Sequence, residues 1–120
     1  MNLDFKAPIR SEPWYSMEYD RVLIEQSIAK QYGVLPSEQE NLRYADWAKM
    51  VGGLMDDTPL GRVVAIRSEK DADVIRRMTP DQRRIRSEWA AHRASIATEE
   101  EQKQQMQQIQ AMIAGMFGGR

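Results

Sequence analysis

Cysteine is absent from the 120 residues, which excludes a disulfide framework and any thiolate metal site. Histidine occurs once, at His92, so a site built from paired imidazoles is excluded as well. No apolar run approaches the roughly 20 residues a membrane-spanning helix needs. The first residues lack the basic-then-apolar order of a signal peptide. Neither sign of charge is in excess. Lys and Arg number 17 against 18 Asp and Glu, a net charge of -1 that gives no global pull toward nucleic acid or anionic lipid. A phosphate-cradling loop is also missing, because Gly52-Gly53 lacks both a preceding strand and a following Lys-Ser/Thr.

What is present is helical in pattern, charge-rich at 29%, and rich in methionine, with 8 residues. Met is the adaptable side chain of cores and of grooves that accept several partners. The stretch from Trp47 to Trp89 stands out as the one around which the chain is organised. Two Thr-Pro pairs, Thr58-Pro59 and Thr79-Pro80, punctuate it with the chemistry of helix starts. The length suits one modest domain.

Residues 1–19 read as an extended N-terminal arm, with Pro8 and Pro13 and no helical or strand period. Its Trp14, Tyr15, Met17 and Tyr19 are expected to pack against the core, the other reading being a strip that docks on another subunit. A helix is predicted from Asp20 to Tyr32, with Asp20 as cap, Ile24, Ile28 and Tyr32 on one face, and Gly33 as its left-handed stop. Ser37-Glu38-Gln39-Glu40 has the capping-box form, with Ser37 holding the Glu40 amide. A further helix is expected from Tyr44 to Met55, with Trp47, Met50, Val51 and Leu54 on its stripe. Gly52-Gly53 inside it costs roughly 1 kcal/mol per Gly relative to Ala, offset by close approach of another helix.

Thr58-Pro59 opens the next element. The β-branched Val63-Val64 leans toward strand, while the cap chemistry and the lack of a partner strand favour helix. Ser68 to Asp71 begins a brief helix through Met78. Thr79-Pro80-Asp81-Gln82 is a full capping box with Pro in the first helical position. The helix it starts places Ile85, Trp89, His92 and Ile96 at spacings of four, three and four, and is expected to run on past Glu99-Glu100-Glu101. From Gln102 onward Gln and Met dominate. Met106, Ile109, Ile113 and Met116 share one face at spacings of three, four and three, and Phe117 extends it. With no core to join, this stripe is expected to seek a partner helix or a copy of itself.

The fold expected is therefore all-α: a small helical domain of four to five helices with a long C-terminal helix and an extended N-terminal arm. Its parts are residues 1–19 as arm, 20–98 as helical domain and 99–120 as a Gln/Met-rich helical extension. Ile24, Ile28, Trp47, Leu54, Ile85 and Trp89 are the expected core. Met106, Ile109, Ile113, Met116 and Phe117 are the expected partner-binding residues.

Catalytic constellations are sparse. His92 reads as a packed or surface-edge imidazole beside Trp89 and Ile96 rather than a base or ligand. Asp56-Asp57, with Asp46, reads as caps or solvated charge rather than a cation site. No catalytic, cofactor-binding or metal residue is assigned, and no enzyme is expected. Arg76, Arg77, Arg83, Arg84, Arg86 and Arg93 crowd a short length. However, Arg83, Arg84 and Arg86 point in different directions around a helix and no aromatics interleave to stack bases. A salt-bridged flank is favoured over a phosphate-binding face, with an acidic protein partner as the other possibility.

The series Gln31-Tyr32-Gly33, Trp47 with Gly53-Leu54, Thr58-Pro59-Leu60-Gly61, Ile66-Arg67-Ser68-Glu69 and Thr79 through Trp89 resembles short proteins of bacteriophage and prophage tail modules. These are similar to tail assembly chaperones. The resemblance covers about the middle half of the chain. It implies an α-helical, non-enzymatic protein of the host bacterial cytoplasm, absent from the finished particle. It implies the tape measure protein as partner, with the major tail protein as a further one. A homo-oligomer is compatible, and no membrane is involved. Two other functions fit the same helices: a structural subunit of the tail or head-tail connector, and an Arg-dependent nucleic-acid binder.

Overall fold

The computed structural model describes residues 14–118. Residues 1–13, which hold most of the expected arm, lie outside the described residues. The architecture is all-α, with six helices and no strand among the described residues: α1 (Arg21–Tyr32), α2 (Pro36–Gln39), α3 (Tyr44–Gly52), α4 (Pro59–Ser68), α5 (Ala72–Arg76) and α6 (Pro80–Gly118). The chain divides into two compact units, Met1–Thr79 and Pro80–Arg120. A single helix crosses residue 98, where the sequence suggests an edge between domain and extension.

The first unit is built on α1, against which α2, α3 and α4 all pack. The organising helix thus lies outside the Trp47–Trp89 stretch that the sequence singles out. Ile24 and Ile28 are fully buried and meet Trp47, Val51 and Leu60 in one cluster. Tyr15, Met17, Met50, Leu54 and Val64 close over it from the sides. Tyr32, expected on the same face of α1, is largely exposed.

Asp20 occupies the position before α1 yet gives its carboxylate to no helix amide. It accepts instead a bidentate pair of bonds from the Arg67 guanidinium, both 2.9 Å, and one from the Ser16 amide at 2.9 Å. Both members are buried. Arg67 also donates to the Trp14 carbonyl at 3.0 Å, so the end of α4 holds the 14–20 segment in place. Asp20 therefore does not cap α1 as its type and position lead one to expect: a buried guanidinium outcompetes exposed amides because the paired charges have no water to fall back on.

Pro36 begins α2, and Leu35, not Ser37, precedes it. Only half of a box forms, two residues earlier than expected: Glu38 accepts from the Leu35 amide at 3.4 Å, and the apolar Leu35 side chain offers no return bond. Helix α3 stops at Gly52-Gly53 instead of running to Met55. A Cβ at Gly53 would lie 2.6 Å from the Tyr32 hydroxyl, so the close approach expected there comes from the last residue of α1. Asp71, not Ser68, opens the short α5, accepting from the Asp73 amide at 2.9 Å.

The start of α4 follows the Thr-Pro rule in full. Thr58 Oγ1 accepts from the Gly61 amide at 3.1 Å and donates to the Met55 carbonyl at 2.7 Å. Pro59 has no amide to satisfy. The Leu60 amide donates to Ser27 Oγ of α1 at 2.9 Å, and that hydroxyl donates to the Leu23 carbonyl at 2.6 Å. All the orphan donors of the first turn are thus matched.

Candidate protein-binding face

Two glutamines of the first unit are committed to holding backbone. Gln39 donates to the carbonyls of Glu25 and Val34, each at 3.0 Å, and accepts from the Trp47 indole at 3.0 Å. Gln31 donates to the Gly53 carbonyl at 2.8 Å and accepts from the Met55 amide at 2.9 Å, clamping the α3–α4 turn from both sides. These clips were invisible as such in sequence, because a glutamine that reaches across the fold has no local signature.

An open depression of about 480 Å³ beside that turn is lined by Leu54, Met55, Asp56 and Asp57. Lys30 lies 3.6 Å from the Asp57 carboxylate and donates to the Asp57 carbonyl at 2.9 Å. An ammonium there competes with any cation for the aspartate. Among the described residues no three His, Cys, Asp or Glu side chains gather as a metal site. His92 stacks at a tilt on Trp89, ring centroids 5.4 Å apart.

Arginines of α5 and of α6 each pair with acids close by in sequence. Arg84 donates to Asp81 at 3.1 Å and lies 3.7 Å from Glu88. The Asp81 hydrogen bond, then the Coulomb attraction of Asp81 and Glu88, raise the Arg84 pKa above its ordinary value. Arg76 pairs with Asp73.

The expected core residues sit as follows. Ile24, Ile28, Trp47 and Trp89 are buried, and Leu54 and Ile85 are half-buried. The expected partner-binding residues all lie on the last four turns of α6 and face solvent, from 48% exposed at Ile109 to 77% at Phe117. Met112, which the spacing argument passed over, is 64% exposed on the edge of the same strip. The concentration of Met and Ile between 106 and 117 was the available signal for it.

Two apolar stripes therefore share α6, and they are not continuous. At about 100° per residue, Ile85, Trp89, His92 and Ile96 cluster about 110° around the axis from Met106, Ile109, Ile113 and Met116. Between them Thr98 to Gln105 is wholly polar. The distal strip is a surface of its own, and from Gln104 to Phe117 the helix carries no charged side chain. Met106, Ile109, Met112, Ile113, Met116 and Phe117 are all exposed along it.

This is the class the coordinates define: an all-α chain with a polar-clipped helical unit and a long helix bearing an unshielded apolar strip. Residues 2–90 match the model of the Bacteriophage Gp15 protein family, and the chain belongs to that family. The match takes in the arm and the whole first unit as well as the middle of the chain. The strip at 106–117 falls beyond it. No curated protein and no solved structure matches the chain. No helix among the described residues is long and apolar enough to cross a membrane.

Proposed function

We propose that this phage protein is a tail assembly chaperone. It binds the tape measure protein through the 106–117 strip of α6 and keeps the apolar helices of that partner soluble until the tube forms. It also helps recruit major tail protein, and it works in the cytoplasm of the infected bacterium. The observation that carries this reading is the exposed Met/Ile strip with no charge beside it. Unbranched, polarizable Met side chains adapt to varied apolar surfaces. A helix face of this kind takes another helix along its length. The absence of charge leaves such binding indifferent to the exact register of the client. The likeness to tail-module chaperones in Thr79 through Trp89 supports the same assignment. The commitment of Asp20, Arg67, Gln31 and Gln39 to structural bonds supports a non-catalytic role.

Co-expression tests it. The tape measure protein is expected to stay soluble and co-purify with this chain, and to precipitate when Ile109→Asp and Ile113→Asp are introduced together. Purified phage particles are expected to lack the protein. Its presence there in stoichiometric amount would establish a structural subunit instead.

A further inference from the structure

We infer that the distal strip of α6 pairs antiparallel with the same strip of a second copy, as the client-free form of the protein. The spacing of Met106, Ile109, Ile113 and Met116 is three, four, three, and so reads the same in both chain directions. A two-fold axis near Ala111 sets Met106 of one copy against Met116 of the other, and Ile109 against Ile113. That is the self-complementary contact a symmetric dimer requires.

Charge decides the direction. Extending the heptad frame of Met106 and Ile113 back by seven residues reaches Glu99, in line with the strip. A parallel pair would bring Glu99 onto its own copy at a seam position, with Glu100 and Glu101 alongside, repelling at close range. An antiparallel pair carries each acidic run past the end of the opposing strip and away from the acidic run of the other copy. Helix dipoles add to the same preference, since opposed ends attract. Ile at both kinds of seam position, 109 and 113, also fails to specify a parallel two-stranded coil.

The seam spans only about 15 Å. Stable coiled coils sustain three to four heptads, so this pairing is weak and reversible. A client helix that covers the strip displaces the second copy; this competition rests on the chaperone reading, whereas the pairing does not.

The chain has no cysteine, so single thiols report the geometry directly. Full-length Met106→Cys and Met116→Cys are prepared separately, and each is oxidised alone and in equal mixture. The mixture is expected to form a covalent dimer and each protein alone to form none. Sedimentation of the unmodified protein is expected to show mass doubling with concentration. That doubling should be lost in Ile109→Asp/Ile113→Asp at unchanged helicity. Self-linking of each single variant as readily as the mixture would overturn the antiparallel assignment. A monomer at every concentration would overturn the pairing itself. A monomer that still captures the tape measure protein leaves the chaperone reading standing, and a dimer that captures nothing leaves the pairing standing.

Discussion

Arg67 and Asp20 show how a pair can be costly to break and cheap to replace. Removing one partner strands a buried charge, whereas replacing both by apolar groups relieves two desolvation costs at once. Arg67→Ala alone is expected to lose about 3–5 kcal/mol. Arg67→Met with Asp20→Leu is expected to recover most of it, and chemical denaturation of the single and double variants measures the difference. If the double variant is as unstable as the single, the pair does more than neutralise itself. Tyr15 gives a pH-dependent counterpart. Burial, and then the nearby Tyr44, push its phenol above the usual tyrosine value. The folded state therefore holds Tyr15 neutral while the unfolded chain ionises it from about pH 10 upward. Its stabilising contribution is complete below that pH and is lost as pH rises through the folded value. Thermal melts should fall less steeply above about pH 10 in Tyr15→Phe than in the parent protein. An identical alkaline slope would place the Tyr15 hydroxyl in water.

At the scale of elements, the starts and stops were legible where the chemistry is local. Thr58-Pro59 and Gly33 act within a few residues of themselves, and the helix start and left-handed stop lie where their types require. Asp20 misled because its partner lies 47 residues away, so nothing near it in sequence distinguishes a cap from a buried counter-ion. The Ser37 reading failed for a simpler reason: Pro36 already supplies a preset first helical residue, which starts the helix two residues before the position a Ser37 cap would set. Trp47 and Trp89 are the larger side chains, yet Ile24, Ser27 and Ile28 of α1 are the more deeply buried. Glycines show the same limit. Gly61 looks like a poor helix residue, yet its absent side chain leaves room for the α3–α4 turn. A Cβ there would collide with the Met55 carbonyl oxygen and lie 2.9 Å from Asp56 Cα. Backbone on both sides cannot yield, so Gly61→Ala is expected to cost about 1–3 kcal/mol despite its better helix propensity. Gly52 has nothing within 4 Å of the same position and an ordinary backbone. Gly52→Ala is therefore expected to gain about 0.5–1 kcal/mol. Equal effects from the two substitutions, read from thermal unfolding, would show that propensity rather than space governs the turn.

At the scale of the whole chain, the two units carry different kinds of hydrophobic surface. Unit Met1–Thr79 gathers its apolar side chains around α1 and fixes them with Ser27, Gln31, Gln39 and Thr58. The last turns of α6 leave theirs in water. That contrast was half legible: periodicity located the strip and its rotation away from the Trp89 stripe, but only the coordinates show that it is open along its length. A protein whose distal strip served its own stability would lose that stability when the strip is removed. Truncation after Thr98 removes every residue of the strip while retaining Ile85, Trp89 and the first unit. The shortened chain is expected to melt within about 3 °C of the parent, because exposed residues away from caps and cores contribute little. It is also expected to lose both capture of the tape measure protein and concentration-dependent mass. Melting by circular dichroism and pull-down by affinity tag read the two properties separately. A truncated chain that unfolds would make the strip part of the fold; one that folds and still captures its client would put the binding face elsewhere, with the arginine flank of Arg84 and its neighbours the next surface to test.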